Sequence, residues 1–404
     1  MTPEQLQKNN YKSDAAVQFM YESLHELKDN ITFFFGKPEQ VLNKILKQNK
    51  TIEVFVNQDY TLYAKKRDEK LEKVCKQNNV LFSSHEDHMM HPYGAIKTKQ
   101  NKIYSIFTPY YNTAKELKVP LPKKTKHKNF SKLSGGVSLD KLKDFFQHNP
   151  KPLIQGGRKQ ALKAMKKNFD DYSKNRDKLT YSTTLLSAYI KFGCVSIREV
   201  YHRYKSVEPL ARQLYWHDFY TTLGHRDIEF TEKRIYQPKQ NISWQNQQHL
   251  KAWKEGKTGF PVVDATMRQL KHENYCHNRG RLIASGWIKF MFIDWRKAEQ
   301  HYAQNLRDYS PYANYYNWCW AMSFGPFSTP YFRIMNVFAQ GKKHDPDCEY
   351  IKKWVPELIN VETKHIHEWD KFHNLYDIDY PAPVVDYKEQ REKTKKAYKS
   401  LFKN

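Results

Sequence analysis

Thr258-Gly-Phe-Pro-Val-Val-Asp264 leads into apolar residues that recur at helical spacing over 262–270, and its surroundings decide the fold. Trp244 lies upstream, and His277-Asn-Arg279, Asp294-Trp-Arg296, Trp318, Trp320 and Pro330-Tyr-Phe-Arg333 follow. The same spacing recurs over 142–146, 158–175, 197–204 and 210–223, so the chain beyond Leu139 predicts a largely helical domain. Indole does little in ordinary acid–base catalysis; its strengths are stacking on flat partners and passing single electrons. Tryptophans gathered beside Arg and Asn groups therefore point to a flat cofactor, a nucleic acid, or both.

Ahead of Leu139 the pattern alternates. Val17, Met20, Leu24 and Leu27 make one apolar stripe of a helix over 14–28, with Ser13 placed to cap it. Ile31-Thr-Phe-Phe-Phe35 predicts a buried strand, and Pro38 opens a helix with Val41, Leu42, Ile45 and Leu46 facing inward. A strand over 51–56, a helix over 65–77 and a short strand over 79–82 follow. This β-α-β order predicts a parallel sheet with crossover helices. Over 112–136 the pattern dissolves into Lys, Pro, Ser and Gly, including Pro122-Lys-Lys-Thr-Lys-His-Lys128, which reads as a solvated interdomain linker. The expected organisation is an α/β domain over 1–111, a linker over 112–136 and a helical domain over 137–404.

The chain has 404 residues, 39% hydrophobic and 15% aromatic, enough for two or three domains with a large core. Its 68 basic against 43 acidic side chains give a net charge of +25, which favours a polyanionic partner. Cys75, Cys194, Cys276, Cys319 and Cys348 are scattered and odd in number, as expected for reduced thiols. No apolar run reaches spanning length, and Met1-Thr-Pro-Glu-Gln has no signal-peptide pattern, so a soluble intracellular protein is expected, with cytoplasm and nucleus not distinguished. Gly256-Lys257-Thr258 lacks the earlier glycine of a P-loop, because Lys251 stands there. His85, His88 and His91 are interleaved with Met89 and Met90 and read as a surface loop, not as metal ligands. Thr183-Thr184-Leu-Leu-Ser187 puts hydroxyls at a helix start, where they suit a phosphate or a simple cap.

From Gly156-Gly-Arg158 onward the motifs run in one order: Leu186-Ser-Ala-Tyr-Ile-Lys-Phe-Gly193, Trp216-His-Asp-Phe-Tyr220, 258–270, His277-Asn-Arg-Gly-Arg281, Asp294-Trp-Arg296, Asn314-Tyr-Tyr-Asn-Trp318, Pro330-Tyr-Phe-Arg-Ile334, Trp354-Val-Pro-Glu-Leu358 and Tyr380-Pro-Ala-Pro-Val-Val-Asp386. Together they resemble the flavin-binding half of the photolyase/cryptochrome family. The resemblance implies FAD inside an all-α C-terminal domain behind an α/β domain with an incomplete parallel sheet. It implies that Tyr172 packs on the cofactor and that Thr183, Thr184, Leu185, Leu186 and Ser187 surround its diphosphate. Gln213, Asn278 and Ser310 would line the same site, Arg281 and Asp308 would pair beside the flavin ring, and Asn314 would face flavin N5. Trp318, Trp295 and Trp244 match a three-member electron relay from flavin to surface.

His277-Asn278-Arg279 resembles members that repair cyclobutane pyrimidine dimers. The resemblance then implies a light-driven, redox-neutral lyase acting on UV-damaged DNA as a monomer. Trp216 and Trp320 would cradle the dimer beside His217, and Arg176, Arg279 and Arg333 would meet phosphates without reading bases. The lesion would leave the stack to reach the site.

Some positions depart from the family pattern. Gln213 stands where dimer-repairing members usually carry Glu, Ser310 replaces an Asp, and His217 replaces an Arg. Asn314-Tyr-Tyr-Asn-Trp318 is nearer the cryptochrome-DASH pattern, so a cryptochrome-like FAD photoreceptor with little repair activity is the alternative. The family's opening strand and second βα segment have no counterpart ahead of the helix over 14–28; either a segment precedes Met1 or the domain is rearranged. Tyr63-Ala64 replace the family's folate-contacting Asn-Glu pair, and much of the deazaflavin or flavin antenna cleft would be missing, so no folate, deazaflavin or FMN antenna is assigned.

Overall fold

A computed structural model describes residues 1–123, 129–233, 243–325 and 334–401, with the side chains at 230 and 232 left out. The basic run at 124–128 and the Pro330-Tyr-Phe-Arg333 motif lie outside the described residues. Two compact units emerge: one comprises 1–170, 184–233 and 310–313, the other 171–183, 234–309 and 314–404.

In the first unit, α1 (Asp14–His25) starts where Ser13 Oγ accepts the Ala16 N–H, as the capping pattern predicts. It ends at His25, short of the expected 28, and Leu27 is exposed. Helix α2 (Pro38–Gln48) has Pro at N1 and turns Leu46 inward. Strand β1 (Glu53–Asn57), helix α3 (Leu62–Gln77) and strand β2 (Leu81–His85) form one β-α-β unit, with β1 and β2 parallel and Glu53 opposite Leu81. Ile31-Thr-Phe-Phe-Phe35 does not form the expected strand. Only Phe33 makes a bridge, antiparallel to Val137. Phe33 and Phe35 instead pack against a small core of Leu6, Val17, Leu139 and Leu142, so side-chain burial replaces a ladder. Among the described residues the sheet therefore has two strands, and Ile52, Phe55 and Leu81 are 77%, 64% and 63% exposed. Helices α4 (Phe107–Ala114) and α5 (Glu208–Arg226) pack together in the same unit.

In the second unit, α6 (Pro261–Glu273), α7 (Asn278–Phe290) and α8 (Trp295–Asn305) pack around a core that includes Trp253, Trp287, Trp295 and Trp369, all fully buried. Helix α9 (Pro311–Ala321) carries Trp318 and Trp320, and α10 (Tyr387–Leu401) follows near the end. The expected helix over 158–175 is two short helices, Arg158–Ala164 and Tyr172–Asn175.

The Thr258–Asp264 motif is a clamp. Buried Asp264 accepts the Thr258 N–H (2.8 Å), the Thr258 hydroxyl (2.7 Å), the Gly259 N–H (3.0 Å) and the Tyr380 hydroxyl (2.6 Å). Gly259 has φ +73, and a Cβ there would lie 2.3 Å from the Ala382 carbonyl oxygen, so only glycine fits. No helix among the described residues is long and apolar enough to cross a membrane.

Candidate flavin and lesion site

In the second unit, Asp294-Trp-Arg296 is a self-contained helix start. Asp294 caps α8 by accepting the Arg296 N–H, and the Arg296 guanidinium folds back on the same carboxylate at 2.8 and 3.0 Å. This fixes Trp295 at N1, fully buried against Tyr315. Trp318 is 3% exposed, between Trp253 (6.3 Å) and Tyr302 (5.4 Å), both edge-on. Two residues along the helix, Trp320 points elsewhere and is 42% exposed. Trp244 is half-buried, between Phe292 (5.3 Å) and Phe324 (6.2 Å).

Three polar pairs of this unit involve the residues that the resemblance places at the cofactor. Arg281 donates Nε to the Cys276 carbonyl (2.9 Å) and Nη2 to both Asp308 oxygens (3.2 and 3.1 Å). Burial opposes its charge, but Asp308 outweighs that and holds its pKa above the usual value. Even so, 31% of the Arg281 side chain stays accessible. Asn314 donates Nδ2 to Glu299 Oε1 (2.9 Å), which leaves its amide oxygen as the acceptor turned away from that carboxylate. Glu299 is fully buried. The Thr183 and Tyr275 hydroxyls share a hydrogen bond of 3.0 Å, and burial pushes Tyr275 up to about 12.

Buried Tyr172 carries the Arg176 guanidinium over its ring at 5.4 Å. Arg279 pairs with Asp177 at 2.8 Å, and Asn278, at the first turn of α7, is exposed. His277 caps α7, and burial lowers its pKa to about 4. Its Nε2 and the Nε of Arg279 are buried with no hydrogen-bond partner among the described residues.

The first unit holds the rest. Leu185 adopts φ +55, and Thr184 Oγ1 accepts the Leu186 N–H just before Ser187 begins a short helix, Ser187–Lys191. On α5, Gln213 Nε2 donates to the Pro209 carbonyl (3.0 Å), so that donor is spent on its own helix. Half-buried Trp216 lies on Phe107, and His217 Nδ1 sits 3.2 Å from Asp218. Ser310 is half-buried, and Arg333 lies outside the described residues.

Glu299, Tyr275 and Phe107 stand outside the roles that the sequence motifs mark. Glu299 left a trace: a carboxylate four residues after Trp295, between Ala298 and Tyr302 on a buried helix face. Phe107 left none, since a partner 109 residues away has no local signature.

A sequence model described as the FAD binding domain of DNA photolyase matches residues 210–400, and one described as DNA photolyase matches residues 1–126. The deoxyribodipyrimidine photo-lyase of Alkalihalophilus pseudofirmus is 33% identical over 396 residues, covering 90% of this chain and 82% of that protein. The Escherichia coli deoxyribodipyrimidine photo-lyase is 32% identical over 395 residues, with the same coverage. Among solved structures, the archaeal photolyase of Sulfolobus tokodaii, which holds two FAD molecules, superposes with a TM-score of 0.88 at 34% identity, covering 99% of this chain and 92% of that one. A Synechocystis cryptochrome at 22% identity and TM-score 0.84 shares the fold. With a matched family domain at each end and relatives a third identical over nine-tenths of its length, the chain belongs to the DNA photolyase family.

Proposed function

We propose that this protein is a deoxyribodipyrimidine photolyase: it binds FAD and uses light to split cyclobutane pyrimidine dimers in DNA. The observation that carries the reading is one helical unit holding the Arg281–Asp308 pair, an Asn314 amide oriented by Glu299, and Trp318, Trp295 and Trp244, in a chain whose relatives bear that name. The residues fit FAD. Hydroxyls at Thr183, Thr184 and Ser187 suit a diphosphate, while a guanidinium–carboxylate pair and an amide oxygen suit the edge of a flavin ring. When bound and reduced, FAD supplies the light-excited electron that opens the cyclobutane ring and afterwards regains it.

The chain positions and insulates. Arg281, with its charge secured by Asp308, places a fixed cation beside the ring. Asn314, whose Nδ2 is held by Glu299, would have its amide oxygen to accept from a flavin N–H. Tyr172 packs on the cofactor, Leu185 and Leu186 shape the diphosphate loop, and Gln213, Asn278 and Ser310 line the remaining edges. Trp318, Trp295 and Trp244 would supply one-electron stops between a bound flavin and a reductant at the surface. In the first unit Trp216 would stack on an extruded dimer with His217 beside it; in the second unit Trp320 and Asn278 would face a lesion, and Arg176, Arg279 and Arg333 would meet phosphates. The protein acts as a monomer inside the cell.

Repair of a defined thymine-dimer oligonucleotide under blue light, with a dark control, tests this reading, alongside the visible absorption of the purified protein. Light-dependent repair by a yellow or blue preparation is expected. A coloured protein inert on dimers would leave a cryptochrome-like photoreceptor, and a colourless one would overturn the FAD assignment.

A further inference from the structure

We infer that Phe107 is a positioning residue for lesion binding: it covers one face of Trp216, so that a dimer stacks on the surface of the indole that Phe107 leaves accessible. The inference rests on the assignment of Trp216 to the lesion. The Phe107 and Trp216 ring centroids are 3.5 Å apart and the planes differ by 7°, an almost eclipsed sandwich. Aromatic pairs left to themselves prefer offset or edge-on arrangements, so the surrounding helices impose this one. Phe107 is 5% exposed and cannot swing away. Phe219 meets it edge-on at 5.6 Å, and Tyr111 stacks on it at 5.8 Å. The Arg212 guanidinium lies 5.5 Å from the Phe107 ring centre and 4.9 Å from that of Tyr111.

Trp216 itself is only half-buried. Tyr220 touches it at 5.2 Å, tilted by 33°, and Phe219 meets it edge-on at 5.7 Å, so it keeps accessible surface with one face closed. Stacking a base on a fixed indole avoids the entropy of ordering a loose one, and that is the selectivity a backing ring supplies. Lesion recognition therefore depends on a residue in the 1–126 match, outside the flavin-binding stretch.

The test is a double-mutant cycle on the full chain with bound FAD. Phe107→Leu, Phe107→Tyr, Trp216→Phe and the double Phe107→Leu/Trp216→Phe are compared for dark binding of dimer-containing and intact oligonucleotides. FAD content and melting temperature are recorded for each. Phe107→Leu should lower the damaged-over-intact preference about 5- to 10-fold, Phe107→Tyr should keep it within about twofold, and Phe107→Leu should add under about twofold in the Trp216→Phe background. Phe169→Leu, equally buried against Tyr204, should lower stability without changing that preference. An equal effect of Phe107→Leu with and without Trp216, a parallel loss of affinity for both DNAs, or the same change from Phe169→Leu overturns the inference. A Trp216→Phe variant with undiminished preference overturns it too, while blue-light repair by the parent protein would leave the proposed function standing.

Discussion

Asp264 and Phe55 mark the two extremes of this chain. Asp264 is a carboxylate sealed in the helical unit by four donors, whereas Phe55 is a large apolar ring on a two-stranded sheet with most of its surface in water. The helical unit repeats the first pattern: Glu299, Arg307 and Lys289 are all buried there. The sheet repeats the second at Ile52 and Leu81. A site that must hold a cofactor in one geometry is built where polar groups are locked by packing. The sheet is organised by local β-α-β pairing and buries little of its own apolar surface.

The sharpest way to break the contrast is inside the helical unit. Trp318→Phe should slow light-driven reduction of bound FAD by more than about 100-fold while leaving dark DNA binding intact, and Trp320→Ala should do the reverse; similar phenotypes would remove the distinction between buried and exposed indole. Asp264→Ala strands the Thr258 and Gly259 N–H groups and the Tyr380 hydroxyl in the core. It should cost about 3–5 kcal/mol in urea unfolding.

Lys289 sharpens the comparison through pH. Burial lowers its pKa from 10.5 to about 7, with Nζ donating to Ser323 Oγ at 2.6 Å and lying 5.1 Å from the centre of the Tyr398 ring. The unfolded chain keeps this proton up to about pH 10.5 and the folded chain releases it near 7, so over that window the unfolded state binds more protons. This group's contribution to stability therefore rises with pH between those values. Melting temperatures of Lys289→Met against the parent should show a flatter profile above pH 7; an unchanged slope would mean that the ammonium is not desolvated. The smallest effect is expected at the sheet. Phe55→Ser should change unfolding free energy by no more than about 0.5 kcal/mol, and a loss comparable to that of Asp264→Ala would show that the exposed ring is covered in solution.

Much of this molecule was written locally. Ser13 capping α1, Pro38 opening α2 and the helical spacing of 210–223 and 262–270 each depend on neighbours within a few residues, the β1-α3-β2 order on the contiguous stretch 53–85, and the structure follows them. Asp294-Trp-Arg296 is local in the same sense, a cap and its own ion pair around a buried indole. Ile31-Thr-Phe-Phe-Phe35 failed as a strand because composition gives the preference of a segment but cannot supply the neighbour it would pair with; packing against Leu139 and Leu142 won instead.

From sequence alone came the helical character of the larger part, the ordered motifs and the residue types a flavin and a damaged base would need. The tertiary structure alone decided that Tyr380 completes the Asp264 clamp across 116 residues, that Glu299 fixes the Asn314 amide, and that Phe107 closes one face of Trp216. The division has a physical cause. Periodicity and caps are set by bonds between residues a turn apart, while the direction of an amide or the free face of a ring is set by whichever distant side chain reaches the space first.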